Sequence, residues 1–388
     1  MRSNRTEGLG LRGWGLVLIV VVACLVRPNA QKYTFDQVLS GLTHADAGTR
    51  LRAIELLKEA DYPEAVVPIA ERFGDADDRV QLAAIDAERS LFTTRPVVRR
   101  RRMAFIIEVR AGTRTGESRL ALKSRDVPPQ VLSGLTIALR DPNPSVRAAA
   151  VDLTALLAPE VCGRLAGEMC NRLGNALVEN INTRQAQLRR GAMSALGRLQ
   201  YPNAVQALSD QLSYYEQGPD AIAALEGLAG IGHPTSISIF QRTLTHSNAD
   251  MRRLAVEGIA RAGNREVAAE LHRATEGERS HAVLLALHYA NAKLGVSDDG
   301  INQIVAALND NSLRPHAVYY LLDLAESMAP ALVEALRNDN PDRRHIIADI
   351  LGFSGDPRVL SALQTATKDA DPDVALAAER AIDRINQQ

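Results

Sequence analysis

The stretch "LRDPNPSVRAAAVDLTALLAP", residues 139–159, joins a polar turn of Asp, Asn and Pro to Val-Arg and then a run of Ala and Leu. Related stretches return as "LTHSNADMRRLAVEGIARAG" at 244–263 and "LRNDNPDRRHIIADILGFSG" at 336–355. With Val146 as position zero, the matching positions are Thr49, Val80, Val146, Leu188, Asp220, Met251, Ala282, Leu313, Arg343 and Val374. From Leu188 onward the spacings are 32, 31, 31, 31, 30 and 31 residues. Self-similarity at such a period marks a solenoid, because a lone helix pair cannot bury its apolar face while a stack of pairs can.

The columns supply the mechanism. Four residues after zero stand Ala53, Ala84, Ala150, Ala192, Ala224, Ala255, Ala286, Ala317, Ile347 and Ala378. A small side chain in nine of ten units marks a tight helix crossing. Three residues before zero stand Asp46, Asp77, Asn143, Asn248, Asp310, Asn340 and Asp371. Asp and Asn there can accept the free N–H groups that open a helix. Apolar residues follow at helical spacing, as in Ile54 and Leu57 or Val151, Leu153 and Leu157. Each unit therefore reads as helix, polar turn, second helix.

One step after zero stand Arg50, Arg147, Arg189, Arg252, Arg314 and Arg344. Stacking places them in a row along the second helices. Two readings follow: a structural ladder in which each Arg donates to the Asp or Asn of a neighbouring turn, or a basic stripe for an acidic partner. The adjacent Asp and Asn and the net charge of -1 favour the ladder.

These repeats resemble HEAT repeats, in particular the short type named for phycobilisome-lyase proteins, over about 38–92 and 129–388. The resemblance implies an all-α, right-handed α-solenoid of about ten helical hairpins, whose second helices line the concave face. Stacked about 10 Å apart, ten units make an arc on the order of 100 Å. The resemblance also implies a scaffold or protein-binding surface, since such a fold carries unrelated roles. One HEAT-repeat enzyme family, the deoxyhypusine hydroxylases, binds iron through repeated His-Glu dipeptides. This sequence has none. The namesake bilin-attachment activity is cytoplasmic, which conflicts with the N-terminus described next.

The chain has 388 residues, 46% of them hydrophobic but only 4% aromatic. A core of Ala, Leu, Val and Ile suits closely packed helices better than a β-sandwich. The near-neutral charge gives no global pull toward nucleic acid or anionic lipid. Residues 1–30 differ from the rest: Arg2, Arg5 and Arg12 precede the apolar "WGLVLIVVVACLV" at 14–26, and polar "RPNAQK" follows. This reads as an export signal. Three fates compete: cleavage after Ala30, lipidation of Cys24 in "VVAC", or retention as an anchor. All three export the remainder, to the periplasm or cell envelope, and two of them tether it to the membrane.

Cys162 and Cys170 would lie about 12 Å apart on one continuous helix, too far to bridge. A break near Gly163 or Gly167 would permit a disulfide in an exported compartment; two buried thiols are the alternative. The pattern breaks there, with 42 residues between Val146 and Leu188. It also breaks at 93–128, an irregular basic insertion or degenerate repeat between the N-terminal repeats (31–92) and the main array (129–388). This insertion reads as a helix over 96–110 and then a loop, or as a β-hairpin of "AFIIEVR" with "SRLALKS". Its Arg95, Arg99, Arg100, Arg101 and Arg102 form a dense charge cluster. They are either a solvated face or a docking site for an acidic protein or lipid headgroups. Nucleic acid is disfavoured, because no aromatic platform accompanies the charge.

No Walker loop or dinucleotide fingerprint is present, and no two histidines stand at i and i+4 as a metal pair would. His281, His288 and His316 are the candidates for a ligand site. Gly232, ahead of Pro234, reads as a helix stop. Tyr214, Tyr215, Tyr319 and Tyr320 read either as partner anchors or as half core, half turn. The expectation is a non-catalytic exported scaffold or adaptor, monomeric apart from an unidentified protein partner on the concave face. It has no catalytic residue, metal or cofactor. The alternative is a metal- or small-molecule-dependent enzyme or binding protein on the same scaffold.

Overall fold

The computed structural model describes residues 33–93, 97–102, 105–110, 119–123, 125–162, 167–297, 300–337 and 340–387. Among them, twenty α-helices pair into ten units. The first helices are α1 (Phe35–Gly41), α3 (Val66–Ala70), α5 (Pro129–Ala138), α7 (Glu168–Asn180) and α9 (Val205–Tyr215), then α11 (Ile237–Thr243), α13 (Ala268–Ala274), α15 (Gly300–Ala307), α17 (Ala329–Ala335) and α19 (Leu360–Ala366). The second helices are α2 (Ala47–Ala60), α4 (Asp78–Phe92), α6 (Pro144–Val161), α8 (Ala186–Arg198) and α10 (Pro219–Ile231), then α12 (Ala249–Ala262), α14 (His281–Lys293), α16 (Arg314–Leu324), α18 (Pro341–Gly352) and α20 (Pro372–Asn386). The fold is an all-α solenoid with one inserted hairpin.

The second helices begin where the polar turns end. Asp46, Asp77, Asn248, Asn340 and Asp371 each cap a second helix by accepting a backbone N–H of its first turn. Asn143 does the same for Ser145 at 2.8 Å. Asp310 departs slightly: it accepts from the Ser312 N–H, and α16 starts later, after Leu313. Gly232 ends α10 in the left-handed conformation at φ 62, a conformation glycine adopts without steric cost.

Every member of the small-residue column is buried, Ile347 included. The column packs the second helices of successive units against one another. The crossing of α8 and α10 is close: a Cβ on Gly197 would lie 2.9 Å from the Gly227 Cα. Backbone meets backbone there, so no side chain can move aside.

The insertion corrects one expectation. Instead of a helix over 96–110, it forms an antiparallel hairpin of β1 (Val97–Arg102) and β2 (Phe105–Arg110), with Arg101 opposite Ile106. Val97, Val98, Ile106, Ile107 and Val109 give the segment the β-branched content that favours strands. The pairing also differs from the expected hairpin. "SRLALKS" instead supplies a short 3-10 turn at Arg119–Ala121 and an isolated bridge from Leu122 to Thr93.

The segment after the hairpin closes the molecule. The Lys123 N–H donates to Phe92 O at 2.8 Å, and its ammonium pairs with Asp61 at 2.7 Å. On its other side, Arg384 of α20 donates to the Leu122 carbonyl while its guanidinium lies 3.8 Å over the Phe353 ring. The stack therefore does not run out as an open arc; its second and last units meet through residues 119–123.

Candidate functional site

Three of the ladder arginines, Arg50, Arg252 and Arg344, share one geometry. In Arg50, Nη1 donates to the carbonyls of its own turn, His44 at 2.8 Å and Ala45 at 2.9 Å. Its Nε and Nη2 grip Asp75 of the next turn at 2.8 and 2.7 Å. Arg252 repeats this with Glu278 and Arg344 with Asp369, while Arg189 sets Nε and Nη2 on the single Oδ1 of Asp220, in the first turn of α10. Gln81 stands at the same column in its unit and donates to Asp141 at 2.8 Å. Arg147 donates only to its own turn, to Asp141 O and Pro142 O. Arg314 donates to Leu308 O, and the turn it would face includes residues 338–339, outside the described residues.

The inner face carries a second column, six residues after zero: Glu55, Asp86, Asp152, Ser194, Glu226, Glu257, His288, Tyr319, Asp349 and Arg380. Neighbouring members meet along the stack. Ser194 donates to Glu226 at 2.9 Å, and Arg380 pairs with Asp349 at 2.8 Å. Through the first five units the row stays at the surface, with Glu55, Asp86, Asp152 and Glu226 exposed and Asp86 paired with Lys58. Arg198 at the end of α8 acts electrostatically on Asp152 of α6 and also on Tyr319 of α16, four units further on. The second helices of distant units thus face one another on the inner side of the stack. Tyr319 is 39% exposed, yet burial pushes its hydroxyl pKa up: solvent reaches it, but protein surrounds it. Burial likewise raises the Asp152 carboxyl, against Arg89 and Arg198.

From α12 to α16 the inner side becomes a buried charged cluster. Tyr320 donates to Glu257 at 2.6 Å, and Arg261 reaches Asp323 at 3.3 Å. Both links skip the intervening α14, and side chains two units apart can meet only on the compressed, inner side of a curved stack. Tyr289 of α14 stacks on Tyr320 with centroids 4.5 Å apart and donates its hydroxyl to Asp323, which also pairs with Lys293 at 3.1 Å. Arg261 lies 4.8 Å over Tyr319 and 5.3 Å over Tyr289, a cation–π arrangement. Burial alone would raise the carboxyls of Glu257 and Asp323. The guanidiniums of Arg253 and Arg261 for Glu257, and Arg261 with Lys293 for Asp323, outweigh it, and both end below the usual value. They are held as carboxylates.

The remaining candidates lie elsewhere. Arg99, Arg100, Arg101 and Arg102 are consecutive residues of β1; Arg95 and Cys24 fall outside the described residues. Cys162 and Cys170 form a disulfide, with Cα atoms 5.8 Å apart across the break between α6 and α7. His316 is partly buried and its ring stands 6.4 Å from that of Tyr320; burial, then Arg253, lower its pKa. His281 is exposed, at the start of α14. Among the described residues, no three His, Cys, Asp or Glu side chains gather as a metal site, and no helix is long and apolar enough to cross a membrane. Each tyrosine pair splits: Tyr320 is core and Tyr319 is 39% exposed, while Tyr215 lies under Arg189 at 5.0 Å and Tyr214 is 79% exposed.

The cluster and the inner row escaped the sequence reading. The row had a legible signal, because six of its ten positions are acidic at the repeat period already found. The cluster had none, since its partners stand 62 and 63 residues apart and only the curvature joins them.

These repeats define a class, the all-α solenoid of stacked helical hairpins. The model for HEAT repeats matches residues 301–383, and the model for the PBS lyase HEAT-like repeat matches residues 188–214. A comparison with curated proteins finds no match. Among solved structures, an engineered protein aligns over 91% of this chain and 98% of its own at 14% identity and TM-score 0.42. The complex of CpcE and CpcF of phycocyanin lyase from Nostoc sp. aligns over 67% of this chain and 96% of its own, at 17% identity and TM-score 0.42. Kap95p bound to RanGDP aligns over 90% of this chain and 50% of its own, at 13% identity and TM-score 0.35.

Proposed function

We propose that this chain is an exported, non-catalytic scaffold that holds an extended, basic segment of a protein partner along its inner face. The observation that carries the reading is the inner row. It keeps Glu55, Asp86, Asp152 and Glu226 open to solvent across five units, while its continuation over α12 to α16 is committed to the buried cluster. Aligned carboxylates of one sign favour a partner of the other. A row that runs across five units favours an extended segment over a compact patch. Export rests on residues 1–30 and is supported by the Cys162–Cys170 disulfide, a bond that persists in oxidising compartments. The basic hairpin is a second contact on this reading, facing acidic groups of a partner or of lipid.

Charge reversal tests it. Asp152→Lys with Glu226→Lys should abolish co-purification of the partner from the host envelope and leave the melting temperature within a few degrees. Undiminished co-purification by the doubly reversed protein would refute the inner-face reading.

A further inference from the structure

The Arg ladder has a vacant rung at Arg147, and we infer that this rung is a binding site for a carboxylate supplied from outside the chain. In Arg50, Arg252 and Arg344 the Nε/Nη2 edge grips an acidic side chain standing two residues before the next helix cap: Asp75, Glu278 and Asp369. The corresponding residue facing Arg147 is Thr183, two before the cap Gln185 of α8. Its hydroxyl is 3.5 Å from the Gln185 side chain, and it has no charge to offer. The neighbouring junctions are matched. Where the arginine is absent, at Ala221, the facing turn carries His246, and where Gln81 replaces it, Asp141 still accepts. Among junctions whose turns are fully described, Arg147 alone keeps its guanidinium and lacks the acid.

The fork is also preorganised. Nη1 of Arg147 is fixed by Asp141 O at 2.6 Å and Pro142 O at 3.0 Å, the same anchoring that orients Arg50. Arg147 lines a cleft of about 380 Å³ together with Arg140, Asp141, Glu179, Asn180, Asn182 and Thr183. The acids in that lining are already engaged: Glu179 by both donors of Arg140, Asp141 by Gln81 and the Asn143 N–H. A planar guanidinium with one edge held and the other open suits a two-oxygen, bidentate ligand. An Asp or Glu side chain, a chain-terminal carboxylate or a free carboxylic acid would complete the rung as Asp75 completes the first. This site lies on the turn edge of the stack, so it stands independently of the inner face.

The test restores the missing rung from within. Thr183→Asp should pair with Arg147, raise the melting temperature by several degrees and block the site; Arg147→Gln should empty it. Saturation-transfer NMR with acetate, and separately with a blocked tri-aspartate peptide, should detect binding to the wild type and at least a fivefold loss in both variants. A peptide that binds tighter than acetate would assign the site to a protein segment; equal binding would assign it to a free acid. Absence of binding to the wild type, binding retained by Thr183→Asp, or a Thr183→Asp protein no more stable than the parent would each overturn the inference.

Discussion

Tyr320 on α16 donates its hydroxyl to Glu257 on α12 at 2.6 Å, across a helix that belongs to the unit between them. Glu257 is the hub of this arrangement, since Arg253 and Arg261 also turn to it. Removing one partner of a buried ion pair strands the others in a low-dielectric interior, at a cost of about 3–5 kcal/mol. Glu257→Ala should lose about that much stability in a urea titration, with Tyr320→Phe losing less. A loss below about 1 kcal/mol would show that the links across α14 do not hold the curvature.

The ladder predicts an acid signature. The hydrogen bond from Arg252 lowers the Glu278 carboxyl from 4.5 to about 2. A depressed carboxyl contributes stability that is complete above its unfolded value and is lost as pH falls through the folded one. The stability difference between wild type and Glu278→Gln should therefore be constant above pH 4.5 and shrink steadily toward pH 2. Denaturant titrations at several pH values would show this; a difference independent of pH would contradict it.

The small-residue column and the glycines beside it leave no room for a larger side chain. Ala255 is 0% exposed, and a Cβ on Gly227 would meet Met193 O at 2.7 Å. Ala255→Leu and Gly227→Ala should each destabilise by about 1–3 kcal/mol through overpacking. Leu376→Ala, at an exposed position of α20, should stay within about 0.5 kcal/mol. Calorimetry that ranked the three alike would refute the tight crossing.

Glu88 of α4 behaves in the opposite sense to Glu278. Its two carboxylate oxygens are buried and accept no hydrogen bond among the described residues. Burial pushes its pKa well above the ordinary value, against the pull of Arg125. The folded state therefore holds this proton more tightly than the unfolded chain, and stability falls as pH rises above the ordinary glutamate value. Glu88→Gln should be more stable than wild type at pH 8 and lose that advantage near pH 4.5. Thermal melts in which the substitution destabilised most at pH 8 would contradict the assignment.

Much of this architecture lies in one dimension. The capping Asp and Asn residues and the buried Ala column act within one unit and its neighbour, so a fixed period exposes them in the sequence. The vacancy at Thr183 is legible in the same way, once the ladder partner is known to stand two residues before the cap. The hairpin at 97–110 was harder, because a run of arginines masks the β-branched residues that pair. The buried cluster was out of reach: Arg261 and Asp323 are joined by curvature, a property of the whole stack that no local window contains. The closure through Arg384 and Leu122 spans 262 residues and has the same cause.

The inner face is tested most directly by site-specific photo-crosslinking in the native host. A photoreactive residue is placed at Asp152 or Glu226 on the inner row, or at Gln206 on the exposed side of α9. The inner positions should capture the same protein, joined through a Lys- or Arg-rich stretch of it, and Gln206 should capture none of it. Capture of that partner at Gln206 and not at Asp152 or Glu226 would contradict the assignment of the inner face.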